Sequence, residues 1–183
     1  MNKRLLFTVL MLLCSVIAIQ AQTVRYVTQG GEGDGTSWEN ASGDIQAMIN
    51  ELDEVGEGGV IRVAQGKYIP TQKVAETDIN DVATTERDKA FLLKSNISLY
   101  GGYAGTGNSP DHRDFELYAS VLDGAINQTD MAYDVVVAVK ADNVVLDGFT
   151  ITNGRALYSF EDPTGTSLGI GESFSNAKIN DQE

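Results

Sequence analysis

The chain has few of the residues that supply thiol, histidine or cationic chemistry. It has one Cys and one His, and 26 Asp and Glu outnumber 13 Lys and Arg among 183 residues. Cys14 lies in the N-terminal apolar run, so the rest of the chain has no disulfide framework and no thiol chemistry. Because His112 is the only histidine, no metal site or proton relay built on several histidines can form within the chain.

The shortage of basic residues also limits the partners. The formal net charge is −13, and loss of residues 1–21 with Lys3 and Arg4 would make it 13 − 2 − 26 = −15. We therefore expect no nucleic acid and no anionic membrane surface as a partner. The acidity fits either the solubility of an exported protein or binding of calcium.

No apolar run has the usual length of a membrane span. The run at residues 5–19 has about 15 residues, against roughly 20 for a spanning helix. A basic start, Met1–Arg4, precedes it, and Ala21 is a small residue at a cleavage point, which is typical of a signal peptide. The alternative is a membrane anchor. We predict a signal peptide at 1–21 and an exported protein, extracellular, at an outer-membrane surface or periplasmic, with no membrane span after cleavage.

Three short segments share a Leu-x-Gly pattern, namely Leu99–Gly101, Leu122–Gly124 and Leu146–Gly148. Their glycines are 124 − 101 = 23 and 148 − 124 = 24 residues apart. A unit of strands and turns this short cannot bury its own apolar face and is stabilised by stacking on the next copy. The repeat predicts an all-β solenoid, a parallel β-helix, in which the three leucines lie directly over one another.

One helix is predicted before the repeats. Ser42 or Asp44 can cap it, and it runs to about Val55 with one apolar stripe. The stripe consists of Ile45, Met48, Ile49 and Leu52. A helix placed there would cover the open end of the β-helix. The predicted regions are a signal peptide (1–21), a strand, Gly-rich loop and capping helix (22–59), β-helix coils (60–154), and an irregular tail or the start of a further coil (155–183).

The order of these motifs resembles the N-terminal portion of secreted, right-handed parallel β-helix proteins of the pectin-lyase-like superfamily. The resemblance is closest to the polymorphic outer-membrane-protein type of bacterial surfaces and covers residues 24–154. It rests on Tyr26-Val27, Gly33–Trp38, Ile61–Tyr68, Leu99–Gly105, Arg113-Asp114 and Leu146–Ile151. Family members continue through many more coils, so the resemblance implies a fragment truncated at its C-terminal end. The exposed edge of the last coil is then expected to self-associate.

Two pairs of residues are candidate ligand sites. Asp130 and Asp134 offer carboxylate oxygens to calcium, although their spacing is not that of an EF-hand. Tyr100 and Tyr103 offer rings to a glycan, and the alternative for both is packing in the wall of the fold. Trp38, the only tryptophan, has the same two interpretations.

Other polar residues favour structural roles. Asp123 and Asp147 occupy the same place in the repeat, at a bend next to glycine. If they bound calcium instead, Arg113, Lys140 and Arg155 would be the candidate bases of a lyase. Asp111, Arg113 and Asp114 form a charged cluster that predicts an ion-pair clasp on a loop, and Asn96 and Asn143 are predicted at equivalent bends.

Two classes of function remain. The first is a non-catalytic secreted or cell-surface module that binds a glycan or a surface protein. The second is a polysaccharide lyase or other carbohydrate-active enzyme, inactive if truncated. The sequence does not place acidic and basic side chains in one register, so the module is favoured.

Overall fold

The structure, a computed structural model, describes residues 22–74 and 85–155 and the backbone of three later strands. The predicted signal peptide at 1–21, with Cys14, lies outside the described residues. A helix, α1, spans Ile45–Val55, and a 3-10 turn spans Glu86–Asp88. The strands are β1 (Val24–Val27), β2 (Gly59–Ala64), β3 (Gly66–Tyr68), β4 (Phe91–Leu93), β5 (Ile97–Tyr103), β6 (Ser120–Asp123), β7 (Val136–Ala138), β8 (Val145–Asp147), β9 (Phe149–Thr152), β10 (Leu157–Glu161), β11 (Ser167–Gly171) and β12 (Ala177–Ile179).

The described strands form four small sheets. The first has the order β1-β2-β5-β8 and the second the order β12-β9-β6-β3; β4-β7 and β10-β11 are two-stranded. The pairings are parallel except those of β12 with β9 and of β10 with β11. Strands β10 to β12 lie in the segment 155–183, where the sequence shows no apolar period.

The prediction of an all-β, right-handed parallel β-helix with a truncated end is wrong for this chain. The described strands are divided among separate small sheets, two pairings are antiparallel, and α1 contributes side chains to the core. The predicted repeat of about two dozen residues mixes two sheets. Leu99 pairs with Leu146, 146 − 99 = 47 residues later, whereas Leu122 pairs in the second sheet with Tyr68 and Ile151.

The shared Leu-x-Gly pattern has a local cause instead. A Cβ placed on Gly101 would lie 2.5 Å from the Gly148 carbonyl oxygen, and one on Gly124 would lie 2.5 Å from the Asn153 carbonyl oxygen. Real Cβ atoms do not approach so closely, so each glycine marks a place where two backbones come too near for a side chain. The Leu-x-Gly pattern therefore marks places where two backbone segments approach closely, beside two different sheets. It does not mark one repeating unit.

The sequence similarity between the segments that follow Asn96 and Asn143 does correspond to a structural similarity. Residues 98–100 and 145–147 lie side by side in the first sheet. At the bends before them, Asn96 and Asn143 both have positive φ, 62° and 55°. The Asn143 side-chain amide donates to Asn96 Oδ1 at 3.0 Å. The prediction of equivalent bends is confirmed, and the two side chains bond to each other across adjacent strands.

The helix prediction is also confirmed. The Asp44 carboxylate accepts hydrogen bonds from the backbone N–H groups of Gln46 and Ala47 at 2.8 and 3.1 Å, and Gly56 ends the helix with a φ of 76°. The predicted stripe faces the core, where Ile49 is fully buried. No helix in the described part of the chain is long and apolar enough to cross a bilayer.

A polar residue of the helix completes a sheet edge. Gln46 is only 1% exposed. Its side-chain amide accepts from the Leu92 N–H at 2.8 Å and donates to the Leu92 carbonyl at 3.2 Å. Because β4 pairs with β7 on its other side, Gln46 takes the place of a neighbouring strand and satisfies the free backbone groups of β4.

The core is formed by side chains of α1, of β4 and of the inner faces of the first two sheets. Its fully buried members include Val27, Ile61, Val63, Leu99 and Leu122. Successive residues of a strand point to opposite faces, so the residues between these core positions lie on the outside. In the first sheet that outer face carries the candidate site.

Candidate functional site

Three side chains stand in line across the outer face of the first sheet. The strand register pairs Tyr26 of β1 with Arg62 of β2, and Arg62 with Tyr100 of β5. Partners in a parallel sheet point to the same side, and all three are half-buried, whereas their neighbours Ile61 and Leu99 are buried in the core. The line therefore runs perpendicular to the strands.

Two further rings pack beside this line. Trp38, which follows the Gly-rich loop, lies with its ring centroid 4.9 Å from that of Tyr26 in an edge-on contact, and 5.7 Å from that of Tyr103. A Cβ on Gly105 would lie 3.5 Å from the indole and 2.3 Å from the Ala64 side chain. Trp38 is half-buried, so it packs on the fold and still presents part of its ring.

Both nearby arginines stack on tyrosines. The Arg62 guanidinium lies 5.9 and 5.6 Å from the ring centroids of Tyr26 and Tyr103. The Arg113 guanidinium lies 5.3 and 5.8 Å from those of Tyr100 and Tyr103. These distances are within the range of cation–π attraction, so each guanidinium contacts two tyrosine rings.

Each arginine also has a carboxylate partner. Arg62 Nη1 donates to Asp111 Oδ1 at 2.7 Å, and Trp38 Nε1 donates to the same oxygen at 2.9 Å. Arg113 Nη2 lies 2.9 Å from Asp147 Oδ2 as an ion pair without the alignment of a hydrogen bond. The Asp111 side chain is 62% exposed and that of Asp147 only 11%, so Asp111 is the carboxylate that a ligand can reach.

We call this set the aromatic–arginine face. Its members are Tyr26, Trp38, Arg62, Tyr100, Tyr103, Asp111 and Arg113. Burial raises the pKa of the Tyr103 hydroxyl, against the opposing effect of Arg62 and Arg113, so this hydroxyl is neutral at neutral pH. The face thus offers flat apolar rings together with an exposed carboxylate acceptor and guanidinium donors.

The structure brings together one of the two predicted pairs. Tyr100 and Tyr103 both belong to the aromatic–arginine face. Tyr103 is buried, and Tyr100 is the half-buried residue at one end of the line. The packing role is the one that the structure shows for Tyr103, because its ring is buried in the wall and contacts both guanidinium groups. That the pair binds a glycan stays a prediction at this point.

The predicted calcium pair is placed differently. Asp130 belongs to a turn in which its Oδ2 accepts from Asn127 Nδ2 at 2.8 Å and its N–H donates to Asn127 Oδ1 at 2.8 Å. Asp134 is half-buried just before β7. The described residues contain no group of three or more His, Cys, Asp or Glu side chains placed to hold a metal ion. Calcium at these two aspartates stays a prediction without a third ligand in the described part of the chain.

Asp123 has the structural role that the sequence favours. It is 1% exposed and accepts from the Ala125 N–H at 2.9 Å and from Asn153 Nδ2 at 2.7 Å, while Lys67 Nζ lies 2.7 Å from Oδ2. Burial by itself would raise the pKa of this carboxyl, but the bonds from Lys67, Ala125 and Asn153 outweigh it and lower the pKa. Asp123 is therefore an ionised tie between strands.

The predicted clasp among neighbouring charges does not form as an internal cluster. Asp111 pairs with Arg62 and Arg113 with Asp147, each reaching across to the first sheet. Asp114 instead accepts from the backbone N–H groups at 116 and 117, both at 3.0 Å. Of the other candidate bases, Lys140 lies at the exposed bend before β8 and Arg155 follows β9.

Three residues of the aromatic–arginine face are not predicted as site residues from the sequence, namely Tyr26, Arg62 and Asp111. Arg62 alternates with buried residues in Gly59–Ala64, which is a signal for an outer face, whereas Tyr26 has a buried neighbour only in Val27. That they stand next to Tyr100 depends on strand register, which a single sequence does not specify. Asp111 reaches the face from a loop 49 residues after Arg62.

Comparison with models of protein families, with curated proteins and with solved structures found no match for this chain. The resemblance to the pectin-lyase-like superfamily accordingly stays a prediction. Function is therefore inferred from the geometry of the aromatic–arginine face.

Proposed function

We propose that the chain is an exported, non-catalytic module that binds a glycan through the aromatic–arginine face. The observation that carries the proposal is the line of Tyr26, Arg62 and Tyr100 across three strands, with Trp38 beside it. The signal-peptide pattern of residues 1–21 supports export to the extracellular space, an outer-membrane surface or the periplasm.

The chemistry of the face suits a sugar. The C–H groups of a pyranose ring pack on the flat face of an aromatic side chain, and the surrounding hydroxyls both donate and accept hydrogen bonds. Tyr26, Tyr100 and Trp38 supply the apolar contact. Asp111 and Arg62 supply an ionic acceptor and donor, which make stronger hydrogen bonds than neutral groups do.

The contacts of Arg113 favour a binding role over the lyase alternative. A base must be free to take a proton from the substrate. The Arg113 guanidinium is held between the Asp147 carboxylate and the Gly101 carbonyl, which accepts from Nε at 2.8 Å, and it is stacked on Tyr100. These contacts orient the guanidinium as part of the wall.

Single truncations of the line test the proposal. We expect Tyr26→Ala and Tyr100→Ala each to weaken binding of soluble polysaccharides roughly tenfold. Loss of each ring lowers the binding free energy from stacking and burial by about 1–2 kcal/mol. Glycan-array screening followed by affinity electrophoresis measures the change. Tyr133→Ala is the matched control, since this tyrosine also stacks with an arginine, Arg87, at 4.0 Å, but belongs to another part of the fold.

Two results would overturn the proposal. The first is undiminished binding by a folded Tyr26→Ala/Tyr100→Ala double variant, which would place the binding surface elsewhere. The second is release of unsaturated products from pectate, alginate or chondroitin, followed by absorbance, which would identify a lyase.

A further inference from the structure

Starting from the proposed glycan-binding function, we infer that the ligand is an uncharged, linear glycan that runs across strands β1, β2 and β5. Three properties of the aromatic–arginine face carry the inference: its charge balance, the exposure of its carboxylate, and the spacing of its rings.

The face carries no net positive charge. Arg62 is paired with Asp111, and Arg113 with Asp147. Glu39 is a further carboxylate, close enough for electrostatic repulsion by Asp111. The local formal charge is therefore zero or negative, within a chain of net charge −13. A polyanionic glycan would meet repulsion both at the face and from the whole molecule, whereas an uncharged glycan would meet none.

The exposed groups suit hydroxyls better than carboxylates. Asp111 is 62% exposed, and its bonds in the described residues go to one oxygen, Oδ1, from Arg62 and Trp38. The second oxygen can only accept, so it matches a sugar O–H and opposes an anion. Arg62 uses Nη1 for Asp111, which leaves other guanidinium N–H groups for the oxygen of an adjacent hydroxyl.

The ring spacing indicates a linear chain and its direction. Tyr26 and Tyr100 are two strands apart in the register, and two strand spacings amount to about 10 Å. This is comparable with the length of two sugar units in an extended glycan. One pyranose can therefore lie near each tyrosine while the chain passes over Arg62, perpendicular to the strands.

The test compares two classes of polysaccharide on the same protein. Trp38 is the only tryptophan and lies in the face, so its fluorescence reports binding directly. The uncharged probes are hydroxyethyl cellulose, xyloglucan and glucomannan, and the anionic probes are polygalacturonate, alginate and chondroitin sulfate, each titrated at low and at high salt. We expect saturable binding of at least one uncharged probe, insensitive to salt, and binding of the anionic probes at least tenfold weaker.

Asp111→Asn gives an independent reading, because the two ligand classes predict opposite signs. With an uncharged ligand the variant loses an ionic acceptor, and binding weakens about tenfold. With an anionic ligand the variant frees Arg62 and removes a repulsion, so binding strengthens. Glu54→Gln, on the exposed side of α1, removes the same charge away from the face and is expected to change nothing; circular dichroism verifies that each variant is folded.

The outcomes separate this inference from the function on which it rests. Binding confined to anionic probes, or strengthened by Asp111→Asn, would overturn the uncharged ligand and leave glycan binding in place. No binding to either class would overturn the proposed function, and the ligand class with it.

Discussion

At the scale of single residues, Asp123 shows how a buried charge ties two strands together. Its carboxylate is 1% exposed, and Lys67 on the neighbouring strand β3 lies 2.7 Å away. The bonds that it accepts lower its pKa, while the pKa of an aspartate in the unfolded chain is about 3.9. A lowered folded-state pKa contributes stability that is fully present above the unfolded value and is lost as the pH falls through the folded value.

We therefore predict that Asp123→Asn flattens the acid side of the stability profile. The variant should be less stable than wild type near neutral pH, by about 1–3 kcal/mol, because the ionic bonds are weakened. The difference should begin to shrink as the pH falls below about 4, the unfolded value, and should disappear once the pH has fallen through the lowered pKa of the folded carboxylate. Urea unfolding at several pH values measures it.

The comparison needs a control because other carboxyls also have lowered pKa values, for example Glu51 and Glu86. Glu57→Gln changes an exposed carboxylate and should leave the profile parallel to that of wild type. A constant difference between Asp123→Asn and wild type across the acid range would show that the ionised carboxylate does not stabilise the fold.

At the scale of secondary-structure elements, α1 protects the open edge of β4 through Gln46. We predict that Gln46→Leu destabilises the protein by about 1–3 kcal/mol, because it keeps the apolar packing and leaves the Leu92 N–H and carbonyl without partners. Glu54→Ala, exposed on the same helix, should change stability by no more than about 0.5 kcal/mol. Chemical unfolding measures both.

A second measurement distinguishes the lost hydrogen bonds from a general weakening of the helix. Amide hydrogen exchange at Leu92 should accelerate in Gln46→Leu more than at Leu99, whose strand has neighbours on both sides. Equal acceleration at the two amides would assign the loss to α1 itself and not to the edge of β4.

The elements also show where prediction from sequence succeeds. The helix could be predicted because its signals are local: an apolar stripe, Asp44 at the start and Gly56 at the end. The sheet to which each strand belongs is not a local property. The repeat therefore predicts Leu122 directly over Leu99, although Leu122 lies in the second sheet.

In the candidate site too, local sequence indicates some residues, while strand register brings in the others. Tyr100 and Tyr103 were identified from their own segment, where they flank a pair of glycines. Their partners Tyr26 and Arg62 come from two other strands, and only the register places them together. Alternation within each strand indicates which face a residue occupies. A single sequence does not indicate which strands are neighbours or in what register they pair.

At the scale of the whole molecule, the net charge opposes self-association through the edge strand β8. Among the described strands, β8 is the last of the first sheet, and Val145 on this strand is 38% exposed. An edge strand presents unpaired N–H and C=O groups to another chain. The net charge of −13 holds two copies apart, and this repulsion weakens as salt screens it.

We predict self-association that increases with protein concentration and with salt, and that Val145→Lys reduces it, because a lysine on an edge strand opposes edge-to-edge pairing. Sedimentation velocity at low and high salt measures the change. Val55→Lys makes the same substitution at a 60% exposed position that ends α1 and belongs to no strand, and it should leave association unaltered. A monomer under all conditions, or equal effects of the two lysines, would show that β8 is not the associating edge.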